Sequence, residues 1–141
     1  MFLTQPSIKN KIMIQVKAII GKEPYKIEIT SPSGNTIIAD EPVEKGGQNR
    51  GFAPKELLAA SLSACTCATL RMYADHKSWD LQKVNVEIEL IEEDGKTTFN
   101  RKLHLEGNLD EKQRTRLLGV ANACPVHKIL THSIEINTQL V

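Results

Sequence analysis

The chain has 141 residues, a length that suits a single domain spanning 1–141. Its 18 lysines and arginines balance 17 acids, with no basic block and no aromatic-rich basic stripe, which argues against nucleic acid as the main partner. Aromatic content is only 4%, so the core must rest on Ile, Leu, Val and Ala, and a second copy is a natural way to complete it.

No uncharged run reaches the ~20 residues of a membrane helix. The opening Met1-Phe-Leu-Thr-Gln-Pro-Ser7 lacks the basic region and apolar core of a signal peptide. The expectation is a cytoplasmic protein with no membrane partner. Three cysteines, an odd number, do not make a secreted disulfide framework. In a reducing compartment they are inert, catalytic or metal-binding.

Residues 12 to 20 alternate in part, with Ile12, Ile14, Val16 and Ala18 on one side, and Gly21 ends the run. Tyr25-Lys-Ile-Glu-Ile-Thr30 alternates cleanly and reads as a strand. Ser31-Pro-Ser-Gly-Asn35 is turn chemistry, and Thr36-Ile-Ile-Ala39 is a short third strand. These three predict an antiparallel meander. Residues 40 to 53 hold too much glycine for a regular element. Pro54 suits the first turn of a helix, where its missing N–H is not needed. That helix runs from 54 to 76, is rich in small residues, and is apolar nearly all round, which predicts burial on several sides.

Val84-Asn-Val-Glu-Ile-Glu-Leu90 and Phe99-Asn-Arg-Lys-Leu-His-Leu105 alternate and are joined through Glu93-Asp-Gly-Lys96, whose Asp-Gly pair signals a hairpin. Asn108 or Asp110, with Glu111 or Gln113 three residues on, can cap a helix over 110 to 122. Its buried residues should be Leu117, Leu118, Val120 and Ala121. A short helix follows over 125 to 131. Ile134, Ile136 and Thr138 read as a closing strand. The order predicts an α+β domain, antiparallel sheets packed on a long central helix.

Two cysteines lie in contrasting settings. Cys65 sits within a fourteen-residue uncharged stretch of the long helix, from Leu57 to Leu70. Burial there raises a thiol's pKa, so Cys65 is unreactive unless a positive group or hydrogen-bond donors stand beside it. Cys124 precedes Pro125 and falls at a helix start, where free N–H groups and the helix dipole favour a thiolate. His127 adds charge there when protonated. The plain alternative is that both are inert small core residues. Cys67 points about 200° away from Cys65 and reads as packing. A metal site is disfavoured, because Cys65 and Cys67 cannot both face one ion. His76, His104 and His132 are scattered.

Ala53-Pro-Lys-Glu-Leu-Leu-Ala-Ala-Ser-Leu-Ser-Ala-Cys65 and Ala123-Cys-Pro-Val-His-Lys-Ile-Leu130 together resemble the OsmC/Ohr family of osmotically inducible and organic hydroperoxide resistance proteins. The wording Cys-Pro-Val-His, with Arg71-Met-Tyr-Ala74, is more similar to its OsmC-like branch. The resemblance covers about 12 to 138. It implies an OsmC-like fold, an intertwined homodimer with its site at the subunit interface, and a peroxidase that uses no metal and no other cofactor. Carried over, Cys65 attacks an organic hydroperoxide and becomes a sulfenic acid, Cys124 resolves it as a disulfide, and a dithiol reductant restores both. This implies a thiol peroxidase in the oxidative stress response. The family's glutamate after the helix-start proline is Lys55 here. No arginine precedes Arg50 to serve as the family's early-strand cation, which leaves Arg50, Lys55 or Lys17 as substitutes. A non-catalytic dimeric binding or redox-sensing protein on the same fold is the alternative.

Overall fold

The computed structural model describes residues 11–141. The opening heptapeptide considered as a signal sequence lies outside them. The chain divides into two compact units, 1–54 and 55–141, and each is built on its own local logic.

In the first unit, β1 (Lys17–Ile20), β2 (Ile27–Thr30) and β3 (Thr36–Ala39) form the expected antiparallel meander. β1 begins five residues later than the alternation from Ile12 suggests. Lys17 pairs with Thr30, and beyond Thr30 the chain turns away. The Gly34 amide donates to the Ser31 carbonyl at 3.0 Å and the Asn35 amide to the Ser31 hydroxyl at 3.2 Å. Residues before Lys17 therefore have no β2 residue to pair with, and a strand without a ladder does not persist.

The glycine-rich loop after β3 is organised by one carboxylate. Asp40, 1% exposed, accepts from the amides of Tyr25, Glu41, Gln48 and Arg50 and from the Arg50 Nε at 2.8 Å. A single 3-10 turn at Val43–Lys45 interrupts what the sequence predicts as wholly irregular. Gly51 permits the fold-back: a Cβ there would stand 1.9 Å from the Ile38 carbonyl oxygen.

In the second unit, α1 (Pro54–His76) starts and stops where expected. Length and composition alone would let it cross a membrane, but its packing shows a buried stripe. Leu62, Thr66, Leu70 and Ala74 are buried, spaced four apart down one face. In the single chain α1 is thus covered along one line, not on several sides.

β4 (Asp80–Glu93) and β5 (Lys96–Asn108) form a long antiparallel hairpin, extending past the predicted segments at both ends. Asp94 and Gly95 turn it with φ of 51° and 74°, the paired positive values of a type I′ turn. α2 (Glu111–Ala121) is capped by Asp110, whose carboxylate accepts from the Gln113 amide while the Gln113 side chain accepts from the Asp110 amide. Leu117, Val120 and Ala121 are buried as expected, whereas Leu118 is 58% exposed. They join Leu70, Ala74, Leu81 and Leu109 in one core, with Trp79, Val84, Leu103 and Leu105 packed against it.

α3 (Pro125–Leu130) follows as predicted. The closing strand does not form. Ile134 and Ile136 are exposed, and residues 133–141 carry no regular structure. Alternation supplies a face but not the partner that a ladder needs.

Candidate active site

Cys65 and Cys124 are 59 positions apart in the chain, and the fold of the second unit brings them together. Cys65 projects from α1 one residue before Thr66 of the buried stripe, and it is half-buried. Cys124 is fully buried, at 0% exposure. Both are free thiols. The Cys65 thiol and the Thr66 hydroxyl stand near enough to the Cys124 sulfur to bias its ionisation.

Cys124 is the N-cap of α3, with extended backbone at φ −63° and ψ 139°. Pro125 supplies the first helical position, where no N–H is required. The cysteine sulfur then takes the role usually filled by a serine or aspartate oxygen. It accepts from the His127 amide at 3.3 Å. Burial pushes the Cys124 thiol up, but the His127 amide, the Cys65 thiol, the Thr66 hydroxyl and the Val126 amide all donate toward the sulfur. The net direction is downward from the ordinary cysteine value.

The cation bound to residues next to the pair is Arg101, which sequence reasoning passed over. β5 alternates Phe99, Arg101, Leu103 and Leu105 on its inner face, while Lys102 and His104 point outward and are exposed. Arg101 Nη1 donates to Thr66 Oγ1 at 3.0 Å. Nη2 donates to Asn122 Oδ1 at 2.9 Å and lies 3.2 Å from His127 Nδ1. One guanidinium thus ties β5 to α1, to the C-cap of α2 and to α3. A signal for it was present: a lone arginine in the apolar register of an alternating strand is out of place unless something inside needs it.

Of the three cations weighed from the sequence, two are ion-paired and one is exposed. Arg50 pairs with Asp40 and Glu23. Lys55 pairs with Glu92. Lys17 lies on exposed β1. Arg101 Nη2 can only donate, so its contact with His127 Nδ1 uses that nitrogen as an acceptor.

Cys67 is half-buried and none of the groups around Cys124 comes from it. Among the described residues no group of three or more His, Cys, Asp or Glu side chains is placed to hold a metal. A cavity of about 670 Å³ adjoins the site, lined among others by Leu58, Leu62, Phe99, Leu103, Arg101 and His127 but by neither cysteine. A half-buried and a buried thiol close together, near one guanidinium and a largely apolar cleft, can form or break a disulfide.

A family model described as OsmC-like protein matches residues 46–139. No curated protein sequence matches the chain. Solved structures share the fold at low identity. A Mycoplasma pneumoniae OsmC-like protein superposes with a TM-score of 0.73 at 20% identity, over 86% of this chain and 89% of its own. A Psychrobacter arcticus protein named for osmotic stress induction and detoxification gives 0.72 at 23%, over 86% and 91%. The organic hydroperoxide resistance protein OhrB of Bacillus subtilis gives 0.58 at 23%, over 85% and 91%.

Proposed function

Because the chain belongs to the OsmC-like protein family, and its two thiols meet, we propose that it is a thiol peroxidase that reduces organic hydroperoxides. The observation that carries this reading is the closeness of Cys65 to the Cys124 sulfur across 59 positions of sequence. A hydroperoxide resistance protein among the structural neighbours agrees with it.

Cys65 is the attacking thiol because it is the partly accessible one, and Cys124 resolves because it is sealed. As the peroxide arrives, the Cys65 thiol gives up its proton to solvent. The Cys65 thiolate attacks the terminal oxygen of ROOH, the O–O bond breaks, and RO⁻ takes a proton from solvent and leaves as ROH. Cys65 is now the sulfenic acid. Cys124 attacks its sulfur, and the departing hydroxyl takes the Cys124 proton as water while the disulfide forms. A dithiol reductant then returns both thiols and is itself oxidised to a disulfide.

The protein works as a homodimer with the site near the subunit interface. The single chain leaves Met72, Leu118 and Ile129 between 58% and 70% exposed, an apolar surface that a second copy would cover.

The test is consumption of an organic hydroperoxide with a dithiol reductant, comparing wild type with Cys65→Ser and Cys124→Ser. Cys65→Ser should abolish turnover. Cys124→Ser should allow one oxidation and then stop at the sulfenic acid, which a dimedone-type probe would trap. Equal rates in wild type and Cys65→Ser remove Cys65 as nucleophile. The apolar cavity beside the thiols would then favour a non-catalytic binding or redox-sensing protein.

A further inference from the structure

We propose that the cavity of about 670 Å³ lined by α1, β5, α2 and α3 binds an amphiphilic monocarboxylate, with an aliphatic chain against its leucines and the carboxylate at Arg101. The proposal does not use the thiols. It holds whether or not the chain turns over a peroxide.

The walls set the apolar part of the ligand. The volume falls within the roughly 300–1,000 Å³ of small-molecule sites. Leu58 and Leu62 of α1, Phe99 and Leu103 of β5, Leu118 of α2 and Leu130 of α3 supply the apolar lining. All but Phe99 are leucines. Branched aliphatic side chains offer no flat face for a ring to stack on, but they remove the methylenes of a flexible chain from water.

The charge of the lining sets the polar part. Lys96 and Arg101 line the cavity, and no aspartate or glutamate among the described residues does. Arg101 is half-buried, and its contacts are all neutral: the Thr66 hydroxyl, the Asn122 amide oxygen and His127 Nδ1. These use three of the five N–H groups of a guanidinium, so two are left for a ligand. Arg114 is also half-buried without a carboxylate, but it donates to the carbonyls of Leu105, Leu109 and Gly107 and does not line the cavity. An anion at Arg101 would gain a charge-assisted hydrogen bond in a largely apolar surrounding. One guanidinium matches a single negative charge. A phosphate brings about twice that charge and three acceptor oxygens, and would need further donors.

The register of β5 assigns the carboxylate to Arg101 rather than to Lys96. The two are five positions apart on one strand, about 17 Å at ~3.4 Å per residue. An odd separation puts them on opposite faces. Arg101 shares the inner face with Phe99 and Leu103, so its charge and the apolar walls meet the same ligand. Lys96 is exposed at the hairpin end.

The experiment is titration calorimetry on the reduced full chain with decanoate and with 1-decanol, near pH 8, where the acid is ionised, and below the micellar and solubility limits of both. The two probes share a chain and differ in charge. Wild type should bind decanoate about tenfold or more tightly than decanol. Arg101→Gln should bring that ratio to within about twofold of one while decanol still binds. Lys96→Gln should leave the ratio in place. Leu58→Trp, which fills the cavity from α1, should weaken both probes together. Wild type that binds neither probe, as when a second copy fills the cavity, overturns the proposal, and so does equal affinity for the two. Leu58→Trp binding both as wild type does would place the ligand elsewhere and overturn it too. A ratio that survives Arg101→Gln, or falls with Lys96→Gln, overturns the assignment to Arg101. Loss of both probes alike in Arg101→Gln makes the guanidinium a brace of the cavity wall and overturns it as well. No peroxide or reductant is present, so a chain without peroxidase activity can pass this test and an active peroxidase can fail it.

Discussion

Closing the Cys65–Cys124 disulfide should stabilise the protein strongly. The bond ties off a loop of 59 positions, and the chain-entropy relation gives about 14 cal/mol/K lost from the unfolded ensemble, or about 4 kcal/mol at 25 °C. Little of this should be returned as native strain if the two sulfurs, already close in the reduced fold, bond without moving the backbone. With an unfolding entropy of roughly 2.1 cal/mol/K per residue, 4 kcal/mol corresponds to a rise in Tm of about 13 °C. The assay is a thermal melt of wild type after stoichiometric peroxide and after excess dithiol, with intact mass confirming loss of two hydrogens. Cys124→Ala, treated in parallel, should show no such gap. A wild type whose disulfide is verified by mass, but whose Tm equals or falls below that of the reduced form, refutes the argument that the two thiols are preplaced for bonding.

Three further outcomes are expected. Leu70→Ala, at a site with 0% exposure in the centre of the core, should cost about 2–5 kcal/mol in chemical denaturation. Asp110→Ala removes the side-chain half of a reciprocal cap and should cost about 0.5–2 kcal/mol, with the loss recovered in large part by Asp110→Ser. The Arg50 guanidinium and the surrounding backbone amides lower the Asp40 carboxyl from 3.8 to about 2. A depressed acid stabilises the fold above its unfolded value and loses that contribution as pH falls through the folded one. Wild type should therefore weaken between about pH 4 and pH 2, and Asp40→Asn should be flatter across that window. Identical pH profiles for the two would exclude Asp40 as the loop's anchor.

Much of the local structure was readable. Asp94-Gly95 specified its hairpin, Asp110 and Gln113 their capping box, and Pro125 placed Cys124 at a helix start, because each depends on groups within about four residues. Where expectation and structure part, a distant partner was needed. Residues 12 to 16 and Ile134 to Ile136 alternate well, yet alternation cannot say whether another strand lies alongside. Leu118 fits the helical period of α2 but falls at its exposed flank.

The chain's own pattern therefore settled which segments are helix, which are strand, and which two cysteines were worth watching. Their contact, expected only through family likeness, came from packing α3 and β5 against the stripe of α1. That same packing tied Arg101, one arginine in an alternating strand, to Thr66, Asn122 and His127. Local propensity acts over a few bonds, whereas these neighbours are brought together by burying apolar surface far apart in sequence, which no short window contains.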